Sequence, residues 1–249
     1  MESYRCSYTV EDNEVDCFGC LKPSMILFYA QDIAGRHCVE LAVDYDTMAA
    51  KRLFWAVIRH RVQITRLPQR GENITVETWP MPTTRVAYPR ATVGYDAAGN
   101  EVFRVISLWV IMNLDTRAMI LPGRSGIEVA GLCRGTELAA PSSLAPMVLE
   151  NRKTRTVRFS DLDRNGHMNN CRYMEWVMDL LPSAFHREHR MTEFVVCYLS
   201  EAREGERLEL SWQQDGSGVF HVETVRPEES AAAGHSRVCA VRIQYEKVL

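Results

Sequence analysis

The sequence has 249 residues, 46% of them hydrophobic and 24% charged, which suits one large or two ordinary domains with an apolar core and excludes a disordered chain. A formal net charge of −3 gives no global attraction to nucleic acid or an anionic membrane, and no apolar run approaches the ~20 residues that span a bilayer. The start, Met1 to Cys6, has no basic segment followed by an apolar one, so a soluble cytoplasmic protein is expected.

Residues 3–10 alternate weakly, as a strand does, and Pro23-Ser24 opens a helix through Met25 to Ala34 that is apolar on nearly every side. Ala56, Ile58, His60, Val62 and Ile64 then alternate with polar or outward residues, the period-2 pattern of a half-buried strand. Ile74, Val76 and Thr78 continue as a second strand, Arg85 to Tyr95 as a third and Val102 to Met112 as a fourth, with turn chemistry at Leu67 to Gly71 and Asp96 to Asn100. From Leu121 to Glu150 the periodicity fades into Pro, Gly and Ser punctuation, the composition of a connection. The pattern then recurs, with a strand at Thr154 to Phe159 and a helix at Cys171 to Leu181. Strands follow at Glu193 to Leu199, Arg207 to Trp212, Val219 to Val225 and Arg237 to Tyr245.

Two details support duplication. Asp16-x-x-Gly19 before the first helix matches Asp163-x-x-Gly166 before the second, and Asp32 matches Asp179 at the same offset. An antiparallel sheet that hides one helix on nearly every side must curl around it. The expected fold is therefore α+β, a tandem or double hot dog, each half a curved antiparallel sheet around a central helix. Residues 1–120 would form the first domain, 121–150 a linker and 151–249 the second.

Eight scattered cysteines in a chain without a secretion signal read as reduced, mostly buried residues. Cys17-Phe18-Gly19-Cys20 has the spacing of a zinc half-site or redox pair. No second Cys or His pair follows nearby, so no metal and no cofactor is expected.

Chemistry concentrates in Ser160-Asp161-Leu162-Asp163-Arg164-Asn165-Gly166-His167-Met168-Asn169-Asn170. Asp163, Asn165 and His167 occupy alternate positions, and in an extended segment their side chains project to one side. Asn169-Asn170 suits the N-cap of the following helix, whose first-turn N–H groups and positive dipole end suit a developing oxyanion. A carboxylate, an amide, an imidazole and backbone donors are parts of an acyl-transfer site. Taken singly, each residue is an ordinary cap or turn residue. No Ser or Cys nucleophile stands beside them, since Cys171 falls among packing residues of the helix, and water activated by carboxylate and imidazole is the simpler chemistry.

This stretch, with Tyr173, Trp176 and Pro182 after it, resembles the signature of the acyl-(acyl carrier protein) thioesterases of plants and bacteria. Leu21-Lys22-Pro23-Ser24, Trp55-Ala56-Val57, Arg66 to Glu72, Glu77-Thr78-Trp79 and Trp109 to Arg117 are similar to the N-terminal half of that family, so the resemblance runs through most of the chain. It implies a tandem hot-dog fold and hydrolysis of fatty acyl-acyl carrier protein to free fatty acid, ending chain elongation. The catalytic residues it implies are Asp163, Asn165 and His167, together with Glu201 on a later strand. Plant members commonly carry a cysteine directly after that glutamate. Here the residue is Ala202, so thiol chemistry at that position is not essential to an active protein. Cys20 stands where the second half has His167, which implies one catalytic half, the first lending Met25, Ile26, Phe28 and Tyr29 to the acyl chain.

The implied partner is acyl carrier protein bearing an acyl-phosphopantetheine thioester, with no nucleic acid and no membrane span; a homodimer stays open. Arg152, Lys153, Arg155 and Arg158 would either meet the acidic carrier or form an ordinary charged surface. Action on coenzyme A thioesters and a non-catalytic acyl-binding role are the alternatives.

Overall fold

Alternating apolar residues become strand where one flank of the chain can be covered, and most runs read from the sequence do so here. A computed structural model describes residues 2–227 and 236–248 and divides at Pro141/Ser142 into two units. Among the described residues no helix is long and apolar enough to cross a membrane.

The first unit contains β1 (Tyr4–Thr9), α1 (Pro23–Glu40), α2 (Tyr45–Ala50), β2 (Leu53–Ile64), β3 (Asn73–Pro80), β4 (Tyr88–Tyr95), β5 (Glu101–Asn113), β6 (Met119–Ile120) and α3 (Pro122–Ser125). Its antiparallel sheet has the order β1-β3-β4-β5-β2, with β6 on the end of β5. Ile26, Leu27, Ala30, Ile33, Ala34 and His37 of α1 are buried at helical spacing, with β1 and β3 against the helix. The helix runs on to Glu40, beyond the expected Ala34, and its last turns expose Asp32, Gly35, Arg36, Val39 and Glu40. Helix α2 was not expected: six residues are too few to display a period, and its start is fixed by Asp44, whose carboxylate accepts the N–H groups of Asp46 (3.0 Å) and Thr47 (3.3 Å).

The inner face of this sheet is not wholly apolar. Strand register places Arg90 beside Ser107 and Ser107 beside His60, so the three share one face. Arg90 and His60 are 7% and 0% exposed. Arg90 donates to Nδ1 of His37 on α1 (3.0 Å) and to Thr78 Oγ1 (3.3 Å), and His60 Nδ1 lies 2.8 Å from Ser107 Oγ. Burial pushes the His60 imidazole down to about 3, so the ring is neutral.

Residues 126–141 form no helix or strand, yet they are fixed on β3. Leu132 N–H donates to Pro80 O (2.8 Å), and Arg134 lies 4.1 Å from the Trp79 ring centroid. Arg134 also pairs with buried Glu77 (2.8 Å), as does Arg5 (2.9 Å). Burial alone would raise the Glu77 carboxyl, but the two guanidinium groups hold it at about 2. Gly131 passes so close to Pro82 that a Cβ would sit 2.3 Å from its nitrogen. Beyond the division, Ser142 O accepts from Cys197 Sγ (3.7 Å) and Leu144 O from Arg237 (3.2 Å), so the segment expected to connect the halves is laid down in two parts.

The second unit contains β7 (Asn151–Thr156), α4 (Asn170–Met178), α5 (Ser183–Glu188), β8 (His189–Tyr198), β9 (Arg207–Gln214), β10 (Val219–Val225) and β11 (Arg237–Lys247). The sheet order β8-β11-β10-β9-β7 repeats that of the first unit strand for strand. Strand β7 ends at Thr156, where the sequence suggested Phe159, because Phe159–Asp161 closes a 3-10 turn before the motif. Helix α4 stops at Met178, and α5 follows with Phe185 stacked on His189 at 4.0 Å. Cys171, Tyr173, Met174, Trp176 and Val177 are buried, and Arg172, Glu175 and Asp179 take the outer stripe read from the sequence. Tyr8 donates to Asp32 (2.7 Å) in one unit, and Arg155 donates to Asp179 (2.8 Å) in the other, so the matched aspartates brace equivalent strands.

Candidate active site

The motif is not extended, as the alternation of Asp163, Asn165 and His167 suggested, but closes into a turn. Gly166 has φ +75°, a conformation open to glycine without a Cβ penalty. This allows Gly166 N–H to reach Asp163 O (3.1 Å) and Asp163 N–H to reach His167 O (2.8 Å). Asp163 Oδ1 accepts the N–H groups of Asn165 (2.8 Å) and His167 (3.3 Å), and Oδ2 accepts from Asn165 Nδ2 (3.3 Å). This is Asx-turn chemistry, and Asp-x-x-Gly was its signal in the sequence. Asp163 and His167 are half-buried, and Asn165 is exposed.

Glu201 lies in the connection between β8 and β9, not on a strand, because the ladder of β8 ends at Tyr198. Two main-chain links carry this connection to the motif: Met168 N–H donates to Ala202 O (2.8 Å), and His167 bridges to Arg203. His167 Nε2 and Glu201 Oε2 come within 3.3 Å, the imidazole 15% and the carboxylate 46% exposed. The four candidate residues thus form two contacting pairs, Asp163 with Asn165 and His167 with Glu201, joined through the backbone of one turn.

The helix start is more fully capped than the sequence suggested. Asn169 Oδ1 takes Cys171 N–H (2.9 Å) and Asn169 O takes Arg172 N–H (2.9 Å). Among the described residues, this leaves the Asn170 N–H as the first-turn donor without a protein acceptor. Cys171 is fully buried, and burial pushes its thiol far above the ordinary range, so it packs and does not react. Of the basic cluster, Arg152 pairs with Glu209 (3.3 Å), and Arg155 pairs with Asp179 and lies over Trp176. Lys153 and Arg158 are exposed.

The braces around the motif were not read from the sequence. Asp161 accepts Arg158 N–H (2.8 Å) and Glu206 accepts Arg203 N–H (3.0 Å), while Glu14 and Glu72 do the same for Glu11 (2.9 Å) and Gln69 (2.8 Å). The signal was an acidic residue three places after a turn start.

Residues 1–121 match the acyl-ACP thioesterase N-terminal domain and residues 146–247 the acyl-ACP thioesterase C-terminal domain. The chain belongs to the acyl-ACP thioesterase family. It is 27% identical, over 81% of its length, to an oleoyl-acyl carrier protein thioesterase of Coriandrum sativum, of which it spans 60%. It is 24% identical to an acyl-[acyl-carrier-protein] hydrolase of Cuphea viscosissima, over 86% of this chain and 56% of that one. An acyl-ACP thioesterase structure from Bacteroides thetaiotaomicron superposes with a TM-score of 0.86 at 25% identity, covering 98% of both chains. The 12:0-ACP thioesterase of Umbellularia californica shares the fold at a TM-score of 0.81 and 21% identity, over 99% of this chain and 98% of that one. These likenesses establish the tandem hot-dog fold. Within the family frame, the two candidate pairs and the capped helix all belong to the part that matches the C-terminal domain.

Proposed function

We propose that the protein hydrolyses the thioester of fatty acyl-acyl carrier protein in the cytoplasm, releasing free fatty acid and ending chain elongation. The observation that carries this reading is the His167–Glu201 pair at 3.3 Å on a turn organised by Asp163. Glu201 and His167 position a water and take its proton as the water oxygen bonds to the thioester carbonyl carbon. The carbonyl oxygen gains charge, and Asn165 Nδ2 and Asn170 N–H are the donors offered to it. Collapse breaks the C–S bond, and the proton passes to the leaving thiolate.

Asp163 positions and does not attack. Its two oxygens already accept three N–H groups, and an attacking carboxylate would lose bonds worth about 1.5–3 kcal/mol each. Hydrolysis in labelled water under single turnover tests this: no label is expected in the Asp163 carboxylate, and label there would exclude direct attack by water as the sole route.

Free-acid release from a panel of acyl carrier protein thioesters, run beside the matching coenzyme A thioesters, tests the substrate class. Faster turnover of the carrier-protein substrates is expected. Equal or faster turnover of coenzyme A thioesters would replace the proposed substrate, and no release from either would overturn the activity.

A further inference from the structure

We propose that Arg226, at the end of β10, is a positioning residue that holds Glu201 against His167; this rests on the reading of that pair given above. Arg226 Nη2 donates to the main-chain carbonyl of Glu201, Nη1 to Ser200 Oγ (2.8 Å) and Nε to Glu206 Oε2 (2.8 Å). One rigid guanidinium therefore grips three points of the connection between β8 and β9. Its side chain is 14% exposed, so solvent competes weakly for these bonds. Ser200 also donates to Arg237 O (3.1 Å), and the Arg226 main chain is fixed by its N–H bond to Ser236 O (2.7 Å). With the Glu201 carbonyl held, the direction of its Cα–Cβ bond is set, and the carboxylate is delivered to the imidazole.

The first unit supplies an independent comparison. Matching main-chain bonds make Arg66 the counterpart of Ser200, Leu67 of Glu201, Glu72 of Glu206 and Asp96 of Arg226. There the cation sits at the other end of the clasp. Arg66 reaches Glu72 (3.0 and 2.9 Å) and Asp96 (3.2 Å), and among the described residues it bonds no carbonyl of its own connection. A clasp between connection and strand end suffices for folding in either arrangement. The arrangement that also seizes the carbonyl of the reacting residue occurs in the unit that has one.

Kinetics of Arg226→Met, Arg226→Lys, Ser200→Ala and Glu201→Gln, singly and with Arg226→Met added to Glu201→Gln, test this on the best carrier-protein thioester. Arg226→Met should lower kcat roughly 10–100-fold, the cost of a misplaced catalytic group, with KM within about 3-fold. The acidic limb of its pH–rate profile, which reports the group that takes the proton, should also move. Arg226→Lys, which restores a point charge without the fork, should recover part of the loss. In the Glu201→Gln background Arg226→Met should cost less than about 2-fold more, because both changes disable one group. If Arg226→Met does not fold, Ser200→Ala removes one grip alone and should still lower kcat several-fold. A large loss in Glu201→Gln with wild-type kcat in Arg226→Met or Ser200→Ala overturns the positioning role alone, as do fully multiplicative losses in the double variant. Wild-type rates in Glu201→Gln overturn the catalytic assignment of Glu201 on which the role depends.

Discussion

The two units fold the same turn and give it different contents. Asp16 Oδ1 accepts Phe18 N–H (2.9 Å) and Cys20 N–H (3.0 Å), as Asp163 Oδ1 accepts Asn165 and His167, and Gly19 repeats the positive φ of Gly166 at +78°. Phe18 stands for Asn165, Cys20 for His167 and Leu67 for Glu201. The inner sheet faces differ in the opposite sense. Arg90, Ser107 and His60 in the first unit correspond by register to Phe220, Ile243 and Phe194 in the second. The second unit therefore pairs a turn bearing Asn165 and His167 with an apolar row, and the first pairs a turn bearing Phe18 and Cys20 with a polar one. Because the aspartate keeps its bonds in the turn that lacks the amide and the imidazole, its first task in both units is to fold the turn.

Exchanging contents should break the comparison most severely. His167→Cys and Glu201→Leu install the residues of the first unit and should each lower kcat by roughly 10²–10⁴-fold, read as free-acid release. Thermal midpoints should stay within a few degrees, because the turn bonds do not involve these side chains.

Acid sensitivity should separate the units next. The folded-state value of His60 is about 3 against 6.5 when unfolded. As pH falls below 6.5 the unfolded chain takes a proton that the folded chain refuses, and this contribution to stability is lost progressively toward pH 3. Between pH 6.5 and 5, above the range in which Glu77 titrates, denaturant unfolding of the wild type should lose up to about 1.4 kcal/mol per pH unit from this group. His60→Phe, the counterpart residue of the second unit, should flatten that slope whatever its effect on stability at neutral pH.

Asp16→Ala and Asp163→Ala should then cost similar stability, each about 1–3 kcal/mol for two deprived N–H groups. Only the second should also reduce kcat. A stability loss confined to Asp163→Ala would show that the turns are alike in shape alone.

The smallest effect should come from the outer braces. Double-mutant cycles on Tyr8–Asp32 and Arg155–Asp179 should each give less than about 1 kcal/mol. Added salt should weaken the second more than the first, because only the second is an ion pair.

Most of this was legible in the sequence for physical reasons. Val62 and Ile64 alternate because the sheet has two faces, and the Asp16/Asp163 and Asp32/Asp179 matches mark equivalent turns and braces. Alternation misled at Asp163, Asn165 and His167, where glycine turn chemistry prevailed over a period of three residues. Helices α2 and α5 are six residues each, set by a cap and by aromatic packing, which no period announces. Glu201 was identified by resemblance alone. Its approach to His167 depends on a bridge between positions 36 residues apart in the chain, 167 and 203, which no local pattern encodes.

The pinning of residues 131–138 to β3 has a consequence for how the protein meets proteases. A stretch without helix or strand is ordinarily where an endopeptidase cuts first, since cleavage requires several consecutive residues to lift into an extended strand. Here lifting would strip Glu77 of one of its two guanidinium partners and uncover the Trp79 ring. Nicking at Arg134 should therefore follow the opening of that contact instead of simple exposure, and trypsin should find this arginine slowly until the unit itself loosens.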